Sequence, residues 1–381
     1  MSRTIEILEK LIAFPTVSRQ PNRELISFCE ELLTQAGAMH QLVGLPDGSR
    51  VNLYATIGPT DRPGVILSGH TDVVPVEGQA WSSDPFKLRR HDGRLYGRGA
   101  ADMKGFCAAV LAAAERAGAL RTPLHLALSY DEEIGCIGVR SLIDVMEQAP
   151  VRPQLCIVGE PTSLAVATGH KGKTALTTIC RGREGHSAMA PIALNALHLA
   201  SDFLSVLRAE QRQLAADGAQ DGDYDVPYTT VHAGILRGGV QVNIVPNEAQ
   251  IDWEIRSIAS DDPAKILHRI DVSAAEILAA YEDPDAKIET RVTNSYPGLD
   301  TAQTREAVSF VKSLVGANGT IKVAFGTEGG LFDTRLGIPT VVCGPGSMAQ
   351  GHKPDEFVTE DQLSRCDVML DGLLERLRAG L

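Results

Sequence analysis

Three short apolar runs in this chain each end in a histidine or an acidic residue, with helix-forming stretches between them. Val65–Leu67 leads into His70, Leu124–Tyr130 into Asp131-Glu132-Glu133, and Leu155–Val158 into Gly159-Glu160-Pro161. Such runs read as buried strands, and strands alternating with helices build a largely parallel sheet flanked by helices. Ligands of open α/β sheets gather just beyond the carboxyl ends of the strands, where these polar residues fall.

The remaining elements follow from periodicity and caps. Helices are expected at Thr4–Ala13, stopped by Pro15, and at Arg23–Ala36, capped by Asn22 and ended by Gly37. Further strands are expected at Gln41–Leu45 and Val51–Ile57, and helices at 104–117 and Ile137–Met146. After residue 172 the pattern changes. A strand at Ala175–Cys180 precedes a long helix, Asn195–Gln213, and a polar loop at 214–224. Strands Thr229–Leu236 and Ala249–Ile255, helix Pro263–Tyr281 and strand Lys287–Thr293 follow, the second strand alternating Ile251, Trp253, Ile255 with Asp252, Glu254, Arg256. The αβ rhythm then resumes with helix Thr304–Val315 and strands Lys322–Phe325 and Thr340–Cys343. A last helix follows, whose start carries the capping-box pair Thr359 and Gln362. The expected architecture is α/β: a mostly parallel mixed sheet flanked by helices, from residues 1–172 and 295–381. An α+β ferredoxin-like domain, 173–294, is inserted in it.

At 381 residues two domains are the ordinary expectation. A net charge of −12 argues against nucleic acid or an anionic membrane as partner. No apolar run approaches the eighteen residues of a membrane span, and MSRTIEILEKLIAFP reads as an amphipathic helix rather than a signal peptide. The seven cysteines are scattered, with no CxxC, as in the reduced core of a cytoplasmic protein.

Five candidate metal ligands stand at strand ends or loop-to-helix junctions: His70, Asp102, Glu133, Glu160 and His352. Their spread over most of the chain excludes a local zinc-finger module. Two histidines with three carboxylates and no thiolate suit Zn²⁺ or a similar divalent ion. Five side chains are too many for one tetrahedral zinc that also holds water. Two ions sharing a bridging carboxylate and a bridging water fit better. Asp72, two residues past His70, is placed to orient the imidazole through its second nitrogen. A Glu-Glu pair such as Glu132-Glu133 is by itself better explained by a solvated turn, and in extended backbone only one of the two faces the ions.

The motifs GHTDVVP, YGRGAADMKG, DEEIGCIG, GEPTS, GHSA and GPG…GHKPDE stand in the order found in the co-catalytic metallopeptidase and deacylase family. The chain resembles that family over nearly its whole length, and HKGK, FGTEGGLF and GPGSMAQGHKPDE are similar to the pattern of its acetylornithine deacetylases. The resemblance implies that Asp102 bridges two zinc ions (cobalt substituting), with His70 and Glu160 on one and Glu133 and His352 on the other. It also implies Glu132 as general base and acid, a metal-bridged hydroxide as nucleophile and a cis peptide at Asp102-Met103. His186 of GHSA would stabilise the oxyanion at the neighbouring subunit's site of a homodimer formed through the inserted domain, which acts as a lid. Arg256 and Asn243 are candidates for gripping a substrate carboxylate. Gly326, Thr327 and Glu328 are candidates for the acyl-amino-acid pocket, Glu328 facing a cationic side chain. The activity so implied is hydrolysis of an N-acyl amino acid, N-acetyl-L-ornithine first. N-acetylcitrulline, succinyl-diaminopimelate, other acyl amino acids and dipeptides are alternatives, and a non-catalytic metal-stabilised binding protein is a remote one. His40, His91, His125, His198, His232 and His268 have no motif around them and read as structural or surface residues.

Overall fold

Four parallel strands lie at the centre of the larger sheet: Leu124–Ser129, Val65–His70, Leu155–Pro161 and Thr340–Gly344, in that order. This is seen in a computed structural model that describes residues 2–381. Val51–Ile57 and Met39–Gly44 extend the sheet antiparallel on one side. Ala167–His170, Leu299–Asp300 and Ile321–Val323 complete it on the other. The expectation of a mostly parallel mixed sheet flanked by helices holds. Val65–His70, Leu155–Pro161 and Thr340–Gly344 are buried at every position and Leu124–Ser129 at all but His125, which is why they read as apolar runs.

Contacts divide the chain into two units, one of residues 1–170, 299–323 and 327–381 and the other of 171–298 and 324–326. In the first, the Ala-rich helix Lys104–Glu115 is buried from Lys104 to Ala114, among helices Arg3–Ala13, Arg23–Gln35 and Glu360–Ala379. Its small side chains let it lie close to the strands. A Cβ on Gly159 would stand 2.0 Å from the Phe106 ring, so the strand that carries Glu160 needs glycine there. Lys104 closes the end of helix Arg3–Ala13, donating to the carbonyls of Leu11 (3.0 Å) and Phe14 (2.8 Å).

The second unit holds the antiparallel sheet Thr230–Gly238, Glu248–Ser257, Gly172–Arg181, Lys287–Tyr296, with helices Ala196–Asp217 and Pro263–Tyr281. That order and the strand-helix-strand-strand-helix-strand sequence are ferredoxin-like. Ile251, Trp253 and Ile255 are buried on one face with Phe203, Leu207 and Ile266, while Asp252, Glu254 and Arg256 alternate outward.

Several local expectations are corrected. Helix Ala196–Asp217 runs four residues into the expected polar loop. Asn22 precedes its helix without capping it, because its amide pairs instead with both backbone groups of Val51 (2.9 Å each). Thr359 caps the last helix through Gln362 N (3.2 Å), but the Gln362 side chain accepts from Gly346 N, so the capping box is not reciprocal. A three-stranded sheet, Arg89–His91, Arg94–Tyr96 and Phe357–Thr359, was not foreseen. Its strands are three residues long, too short for a period to be read. Among the described residues no helix is long and apolar enough to cross a membrane.

His125 sits in the sheet, bonded to Thr56 (2.9 Å) and stacked on Tyr54. Burial pushes its pKa down to about 4 from the usual 6.5. The unfolded chain therefore takes up this proton below pH 6.5 and the folded chain only near pH 4, so stability is lost as pH falls through that window. The loss from this group reaches about 3 kcal/mol. A His125→Phe variant should show a correspondingly flatter stability profile than the parent between pH 6.5 and 4 in urea titrations. Parallel profiles would refute the assignment.

Candidate metal centre

Strand register brings the first ligand candidates level. His70 pairs with Ser129, the last residue before the Tyr130–Glu133 turn, and Ser68 pairs with Val158, two residues before Glu160. Asp102 stands two residues before helix Lys104–Glu115 and is followed by a cis Asp102–Met103 peptide bond, which the family resemblance implied. His352 comes from the loop after Thr340–Gly344, with φ of 60°.

Asp102 is the centre of this cluster. Its Oδ1 lies 3.1 Å from Nε2 of His70, and its Oδ2 lies 3.3 Å from Nε2 of His352. His70 Nε2 is also 3.5 Å from Glu160 Oε1, and His352 Nε2 is 3.0 Å from Glu133 Oε2. Two atoms bound about 2.1 Å from one tetrahedral zinc lie roughly 3.4 Å apart. Each histidine–carboxylate group therefore has the spacing of ligands about a common ion, and the residues fit two ions sharing Asp102. His70, Asp102 and Glu160 are buried, whereas half of the His352 side chain is exposed, leaving one side open to a ligand.

The electrostatics are those of a cation site. Burial raises the pKa of Glu160, and the Asp102 charge adds to it. Glu133 is raised by the same two causes, against a hydrogen bond from His352. Burial works against ionisation of Asp102 too, but hydrogen bonds from His352 and His70 outweigh it and hold this carboxyl below its usual range. So many buried carboxylates repel one another unless positive charge joins them.

Glu132 and Glu133 both face the cluster, contrary to the extended-backbone expectation. Asp131 adopts φ of 54°, so the chain turns instead of alternating, and a Glu132 oxygen lies within ligand range of His70 and Glu160. Asp72 holds this turn: its carboxylate accepts from Glu132 N (3.0 Å), Glu133 N (3.3 Å) and Ser18 Oγ (2.7 Å). It was expected to orient His70 through its side chain. The closer contact to Nδ1 is instead the Asp72 main-chain carbonyl at 2.9 Å, with the carboxylate at 3.5 Å. Cys136 Sγ donates to Glu132 Oε1 at 3.2 Å.

Residues 326–328, the pocket candidates, are engaged with their own neighbours. Glu328 is 1% exposed and accepts hydrogen bonds from Ser68 (3.1 Å) and Ser129, so it ties together the strands that lead to His70 and Glu132. Thr327 is fully buried and accepts from Gly329 N (2.9 Å), while Gly326 lies against Tyr296. His186, Asn243 and Arg256 belong to the smaller unit. There His186 Nδ1 accepts from Ala188 N (3.1 Å) and so caps the turn Ser187–Ile192 itself, and the Asn243 carbonyl accepts from Ser187 N. Arg256 is bonded to Glu254 (2.8 Å) and Tyr296 (3.4 Å). His170, which had no assigned role, is buried and accepts from Gly330 N.

Comparison with known proteins gives the family. Residues 66–376 match the model of peptidase family M20/M25/M40, and the chain belongs to that family. It is a metal-dependent hydrolase by that membership. The acetylornithine deacetylase of Myxococcus xanthus is 34% identical over 95% of this chain and 94% of its own length. That of Pasteurella multocida is 32% identical over 99% and 98%. Among solved structures, an M20 family metallo-carboxypeptidase from Sulfolobus solfataricus shares the fold, with a TM-score of 0.79 over the whole of both chains at 18% identity.

Proposed function

We propose that this enzyme hydrolyses the amide bond of an N-acyl amino acid, N-acetyl-L-ornithine in the first place, to acetate and L-ornithine. The reaction class rests on one observation above all: Asp102 offers one oxygen to the His70 and Glu160 side and the other to the His352 and Glu133 side. The substrate rests on relatives of 31–34% identity that are named acetylornithine deacetylases. Two divalent ions, Zn²⁺ or Co²⁺, would be held by these five residues and would polarise the acyl carbonyl and acidify water there.

The chain's own part is proton transfer and positioning. A Glu132 carboxylate oxygen takes a proton from the attacking water as its oxygen adds to the acyl carbon, then hands it to the amine nitrogen as the C–N bond breaks. Asp72 keeps Glu132 in place through its backbone N–H. His186 donates to the developing oxyanion at the neighbouring subunit's site of a homodimer, and Arg256 with Asn243 grips the substrate carboxylate. Since Glu328 is engaged with two serines, it is not part of this reading of substrate recognition.

The smaller unit presents Met189, Ile192, Val240, Val242 and Ile244 to solvent around the turn that carries His186, with Val242 wholly exposed. Apolar exposure of this kind favours a homodimer formed through that unit. All seven cysteines are unpaired and buried, which favours a reducing, cytoplasmic setting.

Purified enzyme loaded with Zn²⁺ or Co²⁺ should release acetate from N-acetyl-L-ornithine, and a chelator should stop it. Faster turnover by 10²-fold of another acyl amino acid or a dipeptide on the same panel would replace the substrate and keep the chemistry. No metal-dependent turnover on any of them would overturn the proposal.

A further inference from the structure

We propose that Gln79, Arg98 and Glu356 are positioning residues that lock the Asp102 loop to the His352 loop and thereby set the affinity of the ion between those two ligands. The proposal rests on the ligand reading given above.

Glu356 is 1% exposed, and one of its oxygens accepts from the backbone N–H of both Ala101 (2.9 Å) and Asp102 (3.0 Å). It thus holds the main chain at Asp102 itself. Its other oxygen takes Arg98 at 2.7 Å, and the Glu356 carbonyl accepts from Gly97 N (2.9 Å). Arg98, also 1% exposed, reaches the Lys353 carbonyl (3.4 Å) and Gln79 Oε1, with Trp81 stacked 5.0 Å from its guanidinium. Gln79 completes the lock: its amide nitrogen donates to the main-chain carbonyl of His352 at 2.9 Å, and its oxygen accepts from Trp81 (3.1 Å). Beside it, Ser82 donates twice to Asp355 (3.0 and 2.9 Å).

The connector between the His70 and Asp102 motifs is therefore seated on the loop that carries His352. This matters for one ion more than the other. His70 and Glu160 are fixed by paired strands, whereas His352 stands on a loop with half its side chain exposed and φ of 60°. Its main chain is held by Gln79 from one side, and Asp102 is held by Glu356 from the other. Groups that orient a metal ligand without touching the metal commonly change metal affinity 10- to 100-fold when replaced.

The test is Zn²⁺ titration of metal-free protein by calorimetry, with Gln79→Met as the first variant. Gln79→Met also takes the acceptor from Arg98 and Trp81, so thermal unfolding of the metal-free variant is measured beside the parent's to show that it still folds. It should bind one ion as tightly as the parent and the other about 10-fold or more weakly. Gln79→Glu keeps the acceptor for Arg98 and Trp81 but has no proton to donate to the His352 carbonyl, and it should weaken the same ion. Unchanged binding of both ions in both variants, or equal weakening of both ions, overturns the proposal. A His352→Ala control separates the two readings. If it keeps both ions, the ligand assignment itself is wrong; if it loses one while Gln79→Met binds two tightly, only the positioning role falls.

Discussion

Replacing Glu132 with glutamine is expected to lower kcat by about 10²- to 10⁴-fold, with metal content and fold retained. The amide has the shape of the carboxylate and keeps the backbone bond from residue 132 to Asp72. It also keeps an oxygen for the Cys136 thiol, 3.2 Å away. What it cannot do is accept a proton from water and pass it to the departing amine. KM should change little, because the loss falls on the reacting state rather than on bound substrate. Steady-state kinetics with metal analysis of the same preparation check this, and turnover within a few-fold of the parent would refute Glu132 as the base.

Asp102→Ala is expected to remove both ions, a larger structural effect than loss of any other single ligand. Each imidazole lies beside a different oxygen of this carboxylate, so its loss takes one ligand from each ion. Ions that bind only the folded chain stabilise it by about 4 kcal/mol at a thousand times Kd. Chelation should therefore lower the melting temperature of the parent protein and leave that of Asp102→Ala unchanged. A variant that still responds fully to added Zn²⁺ would show that Asp102 is not shared.

The strand ends carrying His70, Glu132, Glu133 and Glu160 were legible, because buried parallel strands are continuous apolar runs and polar residues at their ends stand out. The inserted antiparallel unit was legible by its alternation at Ile251, Trp253 and Ile255. The Asp72 bonds to the 132–133 backbone were not, since a backbone N–H leaves no mark on residue identity. Arg98 and Glu356 did leave one: charged residues inside the motifs YGRGAADMKG and GHKPDE, which a fully buried pair explains. Glu328 stood in a quoted motif as well, yet its burial between Ser68 and Ser129 could not be read from its own neighbours in the chain.

What the amino-acid sequence determined by itself was the kind of sheet, the inserted unit and the order of the chemistry-bearing residues, all of which follow from local periodicity and from side-chain chemistry. What only the tertiary structure decided was which groups meet and through which atoms. It set the Asp102 oxygens between two histidines 282 positions apart in the chain, numbers 70 and 352, turned both glutamates of a pair toward one centre and sent Glu328 into the core. Those contacts depend on strand register and loop conformation, which are settled by packing across hundreds of residues rather than by the residues that make the contact.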